Sequence, residues 1–382
     1  MQRMAVSWLV YTMTHSAFML GLVSFAGQIP VLFLSPYAGA YVDRHSRYRT
    51  LLVTQIASML QAGLLALIVL TGHYNIISII ALSILLGIIN AFDTPSRQSL
   101  MIMLVQSRDD LPNAIALNSS MVTLARLLGP VAAGILLSSV GEGICFLINF
   151  LSFIAVITSL LLMKINIPAR KKPEEDIWKN LWQGYTYLKG NLGLRSAILL
   201  MAVSSLLVMP YSTLFPVYAK TVFQGNVTTF SWLNSISGLG AMMGAIYMAN
   251  LKPHRNLLKR IVLSALLLSV SLMLFAYSPH LLLALIFVMI GEGGMLAQIA
   301  ATNTYVQTNV EEHMRGRVVS YYVMAFQGIL PIGSLLIGLA AHITGAPLTV
   351  FIEGLAGVIT VLLFIPTFKK ARRQATPKAI AA

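Results

Sequence analysis

The sequence predicts an all-α polytopic membrane protein organised as two six-helix bundles. Three observations carry that expectation. Of 382 residues, 57% are hydrophobic and only 10% charged, whereas a soluble domain carries about 25% charged residues. Mean hydropathy is +0.79. The apolar residues fall into runs long enough to cross a bilayer. The two halves of the chain also match each other at a nearly constant offset. A soluble enzyme, a disordered chain and a single-anchor protein with a large exterior domain are excluded.

Taken in order, the apolar runs are separated by charged or Gly/Pro-containing breaks. A short stub covers 1–13. Full spans follow at 16–42, 50–71, 75–104, 113–140 and 143–164. After a polar break come 196–222, 229–251, 257–278, 280–305, 315–342 and 346–367. The count is eleven full spans and one stub. Several exceed 20 residues, which permits tilt.

Net charge is +14, and its placement decides its meaning. Arg44, Arg47 and Arg49 follow span 2, and Arg108 follows span 4. A run from Lys164 to Arg195 follows span 6. Lys252, Arg255, Lys259 and Arg260 follow span 8, Arg315 and Arg317 follow span 10, and the tail carries Lys369 to Lys378. Together these are 22 of the 26 basic residues. Lysine and arginine mark the cytoplasmic side, so these loops and the C-terminal tail are expected there. Lys220 stands opposite, near a span end where it can snorkel. The charge therefore reads as topology and contact with anionic lipid, not nucleic-acid binding. Cys145 is the sole cysteine, so no intramolecular disulfide is possible.

The longest polar stretch, 165–195, opens with the charged segment PARKKPEED. Trp178, Leu181, Trp182, Tyr185 and Leu188 then share one helical face. That spacing predicts an amphipathic helix at the cytoplasmic interface. The expected organisation is an N-terminal bundle at 1–164, a linker at 165–195, a C-terminal bundle at 196–368 and a basic tail at 369–382.

The internal repeat sets the architecture. Val105-Gln106 and Val306-Gln307 both close a span, and they lie 201 residues apart; Pro130 and Pro331 share that offset. Gly134 and Gly141 correspond to Gly338 and Gly345 at an offset of 204. Six spans per unit give both halves the same orientation, as a parallel duplication about an axis normal to the membrane requires. Two such bundles form a transporter architecture, with the substrate site expected between them near the midplane. By the same offset, the counterpart of the seventh span begins before Met1. The stub, at ~20 Å, is shorter than the ~30 Å hydrocarbon core. The first helix is expected to be incomplete in this chain.

The loop after span 2 reads GAYVDRHSRYR. Gly39, Asp43, Arg44, Arg47 and Arg49 resemble the major facilitator signature G-x-x-x-D-R-x-G-R-R, with Ser46 in place of the second Gly and Tyr48 within the basic cluster. Gly39 permits close helix approach. Asp43 suits a neighbouring helix N-terminus, and the arginines can bridge to carboxylates at helix ends. The resemblance implies a latch between the two halves; an ordinary positive-inside loop is the alternative. ARLLGPVAAG in span 5 resembles the superfamily's antiporter signature through Gly129, Pro130 and Gly134, with Ala125 and Ile135 departing from it. Small residues let backbones meet and Pro bends the helix, so plain packing also fits.

Longer stretches are more specific: QRMAVSWLVYTMTHSAFMLGLVSFA, NAFDTPSRQSL, LPNAIALNSS, CFLINFLSF and MRGRVVSYYVMAFQGILPIGSL. Across nearly the whole chain they resemble the transmembrane secretion effector branch, which contains the enterobactin exporter and macrolide-efflux proteins. The resemblance implies the major facilitator fold and proton-driven export of amphipathic small molecules by alternating access. About two dozen residues normally precede QRMAVSWLVY in that branch, consistent with the repeat. An importer or facilitator on the same fold is the alternative.

Ionisable groups inside spans are functional candidates. Asp93 and Arg97 stand at i, i+4 and can pair. Asp93 lies ~27 Å into its span, near the cytoplasmic end, where it is expected to meet the arginines of the Asp43 loop. The two read as gate residues or as a structural pair. Arg126 and Glu292 lie near mid-depth. Glu292 sits in GEGG, where glycines are expected to loosen the helix. Desolvation favours a protonated carboxyl group, which suits proton carriage or cation contact. Glu353 lies ~10 Å into span 12 and is a further candidate. Trp8, Tyr11, Tyr211, Phe215 and Tyr218 are candidate aromatic walls for a hydrophobic solute, although aromatics at span ends also serve as interfacial anchors. Gly240 and Gly244 in GLGAMMG fit helix packing rather than dinucleotide binding. No phosphate-binding G-x-x-x-x-G-K-[ST] and no H-E-x-x-H occurs, so neither cofactor nor catalytic metal is expected. The expected partners are a small-molecule substrate, protons and the lipid of a bacterial cytoplasmic membrane. The protein is expected to act as a monomer.

Overall fold

The computed structural model describes residues 1–104, 110–163, 177–251 and 256–375. The charged start of the linker, Lys252, Arg255 and the end of the tail lie outside them. Every regular element described is helical. Among the described residues, nine segments are long and apolar enough to span a membrane.

The first helices are α1 (Gln2–Thr14), α2 (Ala17–Arg44), α3 (Arg47–Leu70), α4 (Ile76–Leu104) and α5 (Leu111–Leu162). They follow the expected spans closely. The count differs from eleven partly because α5 joins two of them. Gly141 breaks α5 with φ 79° and ψ 178°, a conformation open essentially to glycine alone. The connection between the fifth and sixth apolar runs is thereby reduced to a kink.

α6 (Ile177–Gly190) is the linker helix, and α7 (Leu192–Leu207) opens the next span. That span is irregular. A 3-10 stretch at Met209–Leu214, the short α8 (Phe215–Val217) and a π stretch at Tyr218–Val222 complete it. Pro210 and Pro216 explain the change, because neither offers an N–H to the preceding turn. α9 (Val227–Ala249) follows and is not among the nine segments. α10 (Leu257–Ala276), α11 (Leu281–Asn309), α12 (Arg315–Val323), α13 (Leu330–Thr344) and α14 (Ala346–Ala375) complete the chain. A π stretch at Met324–Gly328 joins α12 to α13 just before Pro331.

The chain divides into two compact units. The first comprises Met1–Pro173 with Pro216–Ser235, and the second comprises Glu174–Phe215 with Ile236–Ala382. Expected linear boundaries at 164 and 196 do not include this exchange of the segment after Phe215.

Inside the first unit, α2 and α4 meet at Gly27 and Gly87, where any Cβ on Gly87 would press on the Gly27 carbonyl. A polar network ties in the short α1. Gln2 donates to Gln61 Oε1 of α3 at 2.8 Å, and Asn149 Nδ2 donates to Gln2 Oε1 at 2.8 Å. Gln61, 1% exposed, donates in turn to the Leu82 carbonyl at 3.1 Å. Each amide finds a partner, as burial away from water demands.

In the second unit, Gly240 and Gly244 of α9 lie directly against Met289 and Gly293 of α11. This is the packing use expected for that motif. The core of this unit includes Leu200, Ile261, Ala301 and Phe368. Gly184 of α6 packs on Tyr321 and Arg317, and Leu188 is buried, while Trp182 and Tyr185 remain exposed. The apolar face of α6 is thus divided between α12 and the surroundings. The Trp178 and Leu181 side chains lie outside the described residues. Elsewhere, large apolar side chains point outward, with Phe33 73% and Ile343 74% exposed. Such a surface suits lipid, not water.

Candidate functional site

The turn between α2 and α3 holds the basic motif. Only His45 and Ser46 separate the helices. Ser46, the departure from the signature, accepts from the Arg49 amide at 3.4 Å and so caps α3. A serine oxygen satisfies one of the orphan donors at a helix start, which glycine cannot do. Arg44 and Arg49 are exposed, and Arg47 donates to Met103 Sδ at 2.7 Å. Tyr48 reaches the Leu160 carbonyl at 2.9 Å. Among the described residues, a Cβ at Gly39 would meet nothing within 4 Å. The Asp43 side chain lies outside the described residues.

Asp93 is buried on α4. It accepts from Thr54 Oγ1 at 3.1 Å, Gln55 Nε2 at 2.5 Å and Arg97 at 2.7 Å. The i, i+4 pair forms as expected. The expected contact with the loop arginines is corrected: among the described residues, Asp93 is held by α3 and its own helix. Thr54 lies ~10 Å along α3 from Arg47, so antiparallel packing brings Thr54 and Gln55, not the turn, to the depth of Asp93.

On α5, Gly134 packs directly on the Ser231 side chain, and Ser231 Oγ donates to the Pro130 carbonyl at 2.7 Å. Gly129 has nothing within 4 Å of a built Cβ. Of these two glycines, the close approach among the described residues belongs to Gly134. Arg126 is exposed on the same helix, one turn before Pro130.

Glu292 lies within α11 and is 4% exposed. The Tyr211 hydroxyl donates to its Oε1 at 2.9 Å. Tyr211 sits in the 3-10 stretch that Pro210 opens, so the break in one span positions a phenol against a carboxylate on another. α11 runs unbroken past Gly291, Gly293 and Gly294. Contrary to the expectation from the sequence, these glycines do not loosen the helix. They let it pack, Gly293 facing Gly240 and Gly294 the Ser264 carbonyl. Glu353 of α14 is 9% exposed, and its Oε2 has no hydrogen-bond partner.

The candidate aromatic walls are packed. Tyr211, Phe215 and Phe275 form a buried edge-to-face cluster with centroids 5.4 to 6.3 Å apart. Tyr218 is also fully buried. Trp8 stacks on Phe230 at 5.6 Å with Lys220 over its ring at 5.8 Å, and Tyr11 is buried beside it. In this conformation, these side chains fill helix interfaces instead of lining open space.

Sequence reading missed Tyr211 as the partner of Glu292, and Thr54 and Gln55 as partners of Asp93. It also missed the Gln2–Gln61–Asn149 network. Intramembrane amides and hydroxyls at mid-depth were the available signal.

The model of the family described as transmembrane secretion effector matches residues 1–378. The chain is 28% identical to the staphyloferrin A transporter of Staphylococcus aureus, covering 95% of this chain and 90% of that one. It is 24% identical to the multidrug efflux pump Tap of Mycolicibacterium fortuitum, covering 98% and 93%. The crystal structure of the nucleoside transporter NupG superposes with a TM-score of 0.73 at 14% identity, covering 96% and 94%; that likeness concerns the fold. These relatives are transporters, not enzymes. The chain is a multi-pass membrane protein that belongs to the transmembrane secretion effector family of major facilitator transporters.

Proposed function

We propose that this protein exports amphipathic small molecules, drug-like or siderophore-like, across a bacterial cytoplasmic membrane by alternating access driven by protons. It acts as a monomer with a cytoplasmic C-terminus. Its spans form two bundles that follow one another along the chain, connected in sequence through the α6 linker.

The observation that carries this reading is the buried Glu292 carboxyl on α11, which accepts from the Tyr211 hydroxyl. A carboxyl group there binds a proton when exposed to one side and releases it when exposed to the other, and the phenol steadies its charged form by donating. Relatives named as a staphyloferrin A transporter and a multidrug efflux pump support the substrate class. Family coverage of nearly the whole chain supports a secondary transporter.

Cells expressing the protein should accumulate less ethidium, macrolide or catecholate siderophore than control cells, and an uncoupler should erase the difference. Glu292→Gln should erase it as well while leaving the amount of protein unchanged. Undiminished uncoupler-sensitive export by Glu292→Gln would remove Glu292 from the mechanism. Uncoupler-stimulated uptake into expressing cells would favour an importer.

A further inference from the structure

We infer that a cavity between α10, α11 and α14 binds one anionic phospholipid, its phosphate held by Lys259 and Lys369 and its acyl chains lying along Val262, Leu266 and Ile365. The site lies within the second unit and is separate from the Glu292 chemistry. That the lipid comes from the cytoplasmic leaflet rests on the cytoplasmic C-terminus proposed above; the class of ligand does not.

The cavity measures about 650 Å³, within the range of roughly 300–1,000 Å³ for sites that hold a small molecule. Its residues are sorted by depth. Lys259 stands in the first turn of α10, Thr308 and Asn309 close α11, and Lys369 lies toward the end of α14. Leu266 is ~10 Å further along α10 than Lys259, and Ile365 precedes Lys369 by ~6 Å along α14. α10 contributes its start and the other two helices their ends, so the polar groups gather at one end of the cavity. Aliphatic side chains form the other. Such a division matches an amphiphile.

One wall is closed and the other open. Buried Phe368 lines the cavity and belongs to the core of the unit, with Val262 and Leu266 packed against that core. Leu263 also lines the cavity and is 54% exposed. A chain seated there lies against packed side chains on one side and meets the bilayer on the other.

Charge selects the head group. Both lysines are exposed. Among the described residues neither forms an ion pair, and no Asp or Glu lines the cavity. Glu311, two residues beyond α11, faces His313 at 3.6 Å. Lysine stems cover apolar surface while the ammonium groups reach head-group depth, and basic pockets between membrane helices suit anionic head groups. A zwitterionic lipid brings its own ammonium group, which the lysines repel. A soluble anion makes no use of the aliphatic end.

The test is native mass spectrometry of the purified full-length protein in detergent, titrated with phosphatidylglycerol or with phosphatidylcholine of the same chains. The wild-type protein should retain one phosphatidylglycerol at least fivefold more tightly than phosphatidylcholine. Lys259→Gln and Lys369→Gln should each weaken phosphatidylglycerol about fivefold, while Lys259→Arg and Lys369→Arg keep most of the affinity. Lys370→Gln removes an exposed charge that does not line the cavity and should leave binding unchanged. Millimolar inorganic phosphate should not displace the lipid. Thermal unfolding shows that each variant is folded, and the two glutamine variants are scored separately, so either one decides.

Equal retention of the two lipids, equal losses in Lys370→Gln and the two cavity variants, or displacement by inorganic phosphate would overturn the inference. Binding in detergent does not depend on orientation. A C-terminus found on the outer side would therefore refute the cytoplasmic leaflet and leave the lipid site standing.

Discussion

Removing Arg97 should destabilise the protein more than removing the charge of its partner Asp93. The reason is their unequal exposure. The Arg97 side chain is 64% exposed and that of Asp93 only 8%. Arg97→Ala strands a carboxylate in a nearly dry site with Thr54 and Gln55 as its remaining donors. Breaking a fully buried pair costs about 3–5 kcal/mol. The two surviving hydrogen bonds and the exposed arginine reduce this to about 2–3 kcal/mol. Asp93→Asn keeps the shape and an acceptor for Gln55, and Arg97 returns to water. Its cost is about 1 kcal/mol. The double variant lacks the stranded charge, so it should cost about as much as Asp93→Asn alone. Equilibrium unfolding of the purified protein by titrating denaturing detergent measures all three. Additive costs in the double variant, or a larger loss from Asp93→Asn than from Arg97→Ala, would refute the reasoning.

Two further predictions concern the small residues of α5. Gly134→Ala should cost about 1–3 kcal/mol, because the new methyl must displace Ser231. Ser231→Ala should recover part of that cost in the double variant, whereas Gly129→Ala should be close to neutral; thermal unfolding decides. Gly141→Ala should cost about 1–3 kcal/mol from backbone strain alone, since nothing lies within 4 Å of its Cβ position. The same assay checks it, and a neutral result would mean that the kink relaxes.

Much of the fold was legible because a bilayer leaves the backbone few options. A span needs about 20 apolar residues with all backbone groups paired internally. The run expected at 50–71 accordingly appears at Arg47–Leu70, and that expected at 257–278 at Leu257–Ala276. Periodicity also placed Asp93 and Arg97 as a pair, since i, i+4 spacing is local. What composition could not show was the broken course of the span from Leu192 to Val222. Pro210 and Pro216 stand in a continuous apolar run, and hydropathy does not distinguish 3-10 or π turns from α-helix. Contacts between distant segments were equally hidden. Tyr211 and Glu292 are 81 residues apart, and Gln2 and Asn149 are 147 apart. Their encounter depends on helix rotation, which packing sets. The packing of the aromatic candidates was hidden for a related reason. Trp8 and Tyr211 have the same composition signal whether they face a cavity or a neighbouring helix.

The most direct measurement is ethidium export by the protein reconstituted in liposomes, with and without an imposed pH gradient. Coupling through Glu292 predicts that transport accelerates when protons flow against the substrate, and that Glu292→Gln removes the acceleration while retaining the fold. Equal rates with and without the gradient in the wild-type protein, or full acceleration in Glu292→Gln, would contradict it.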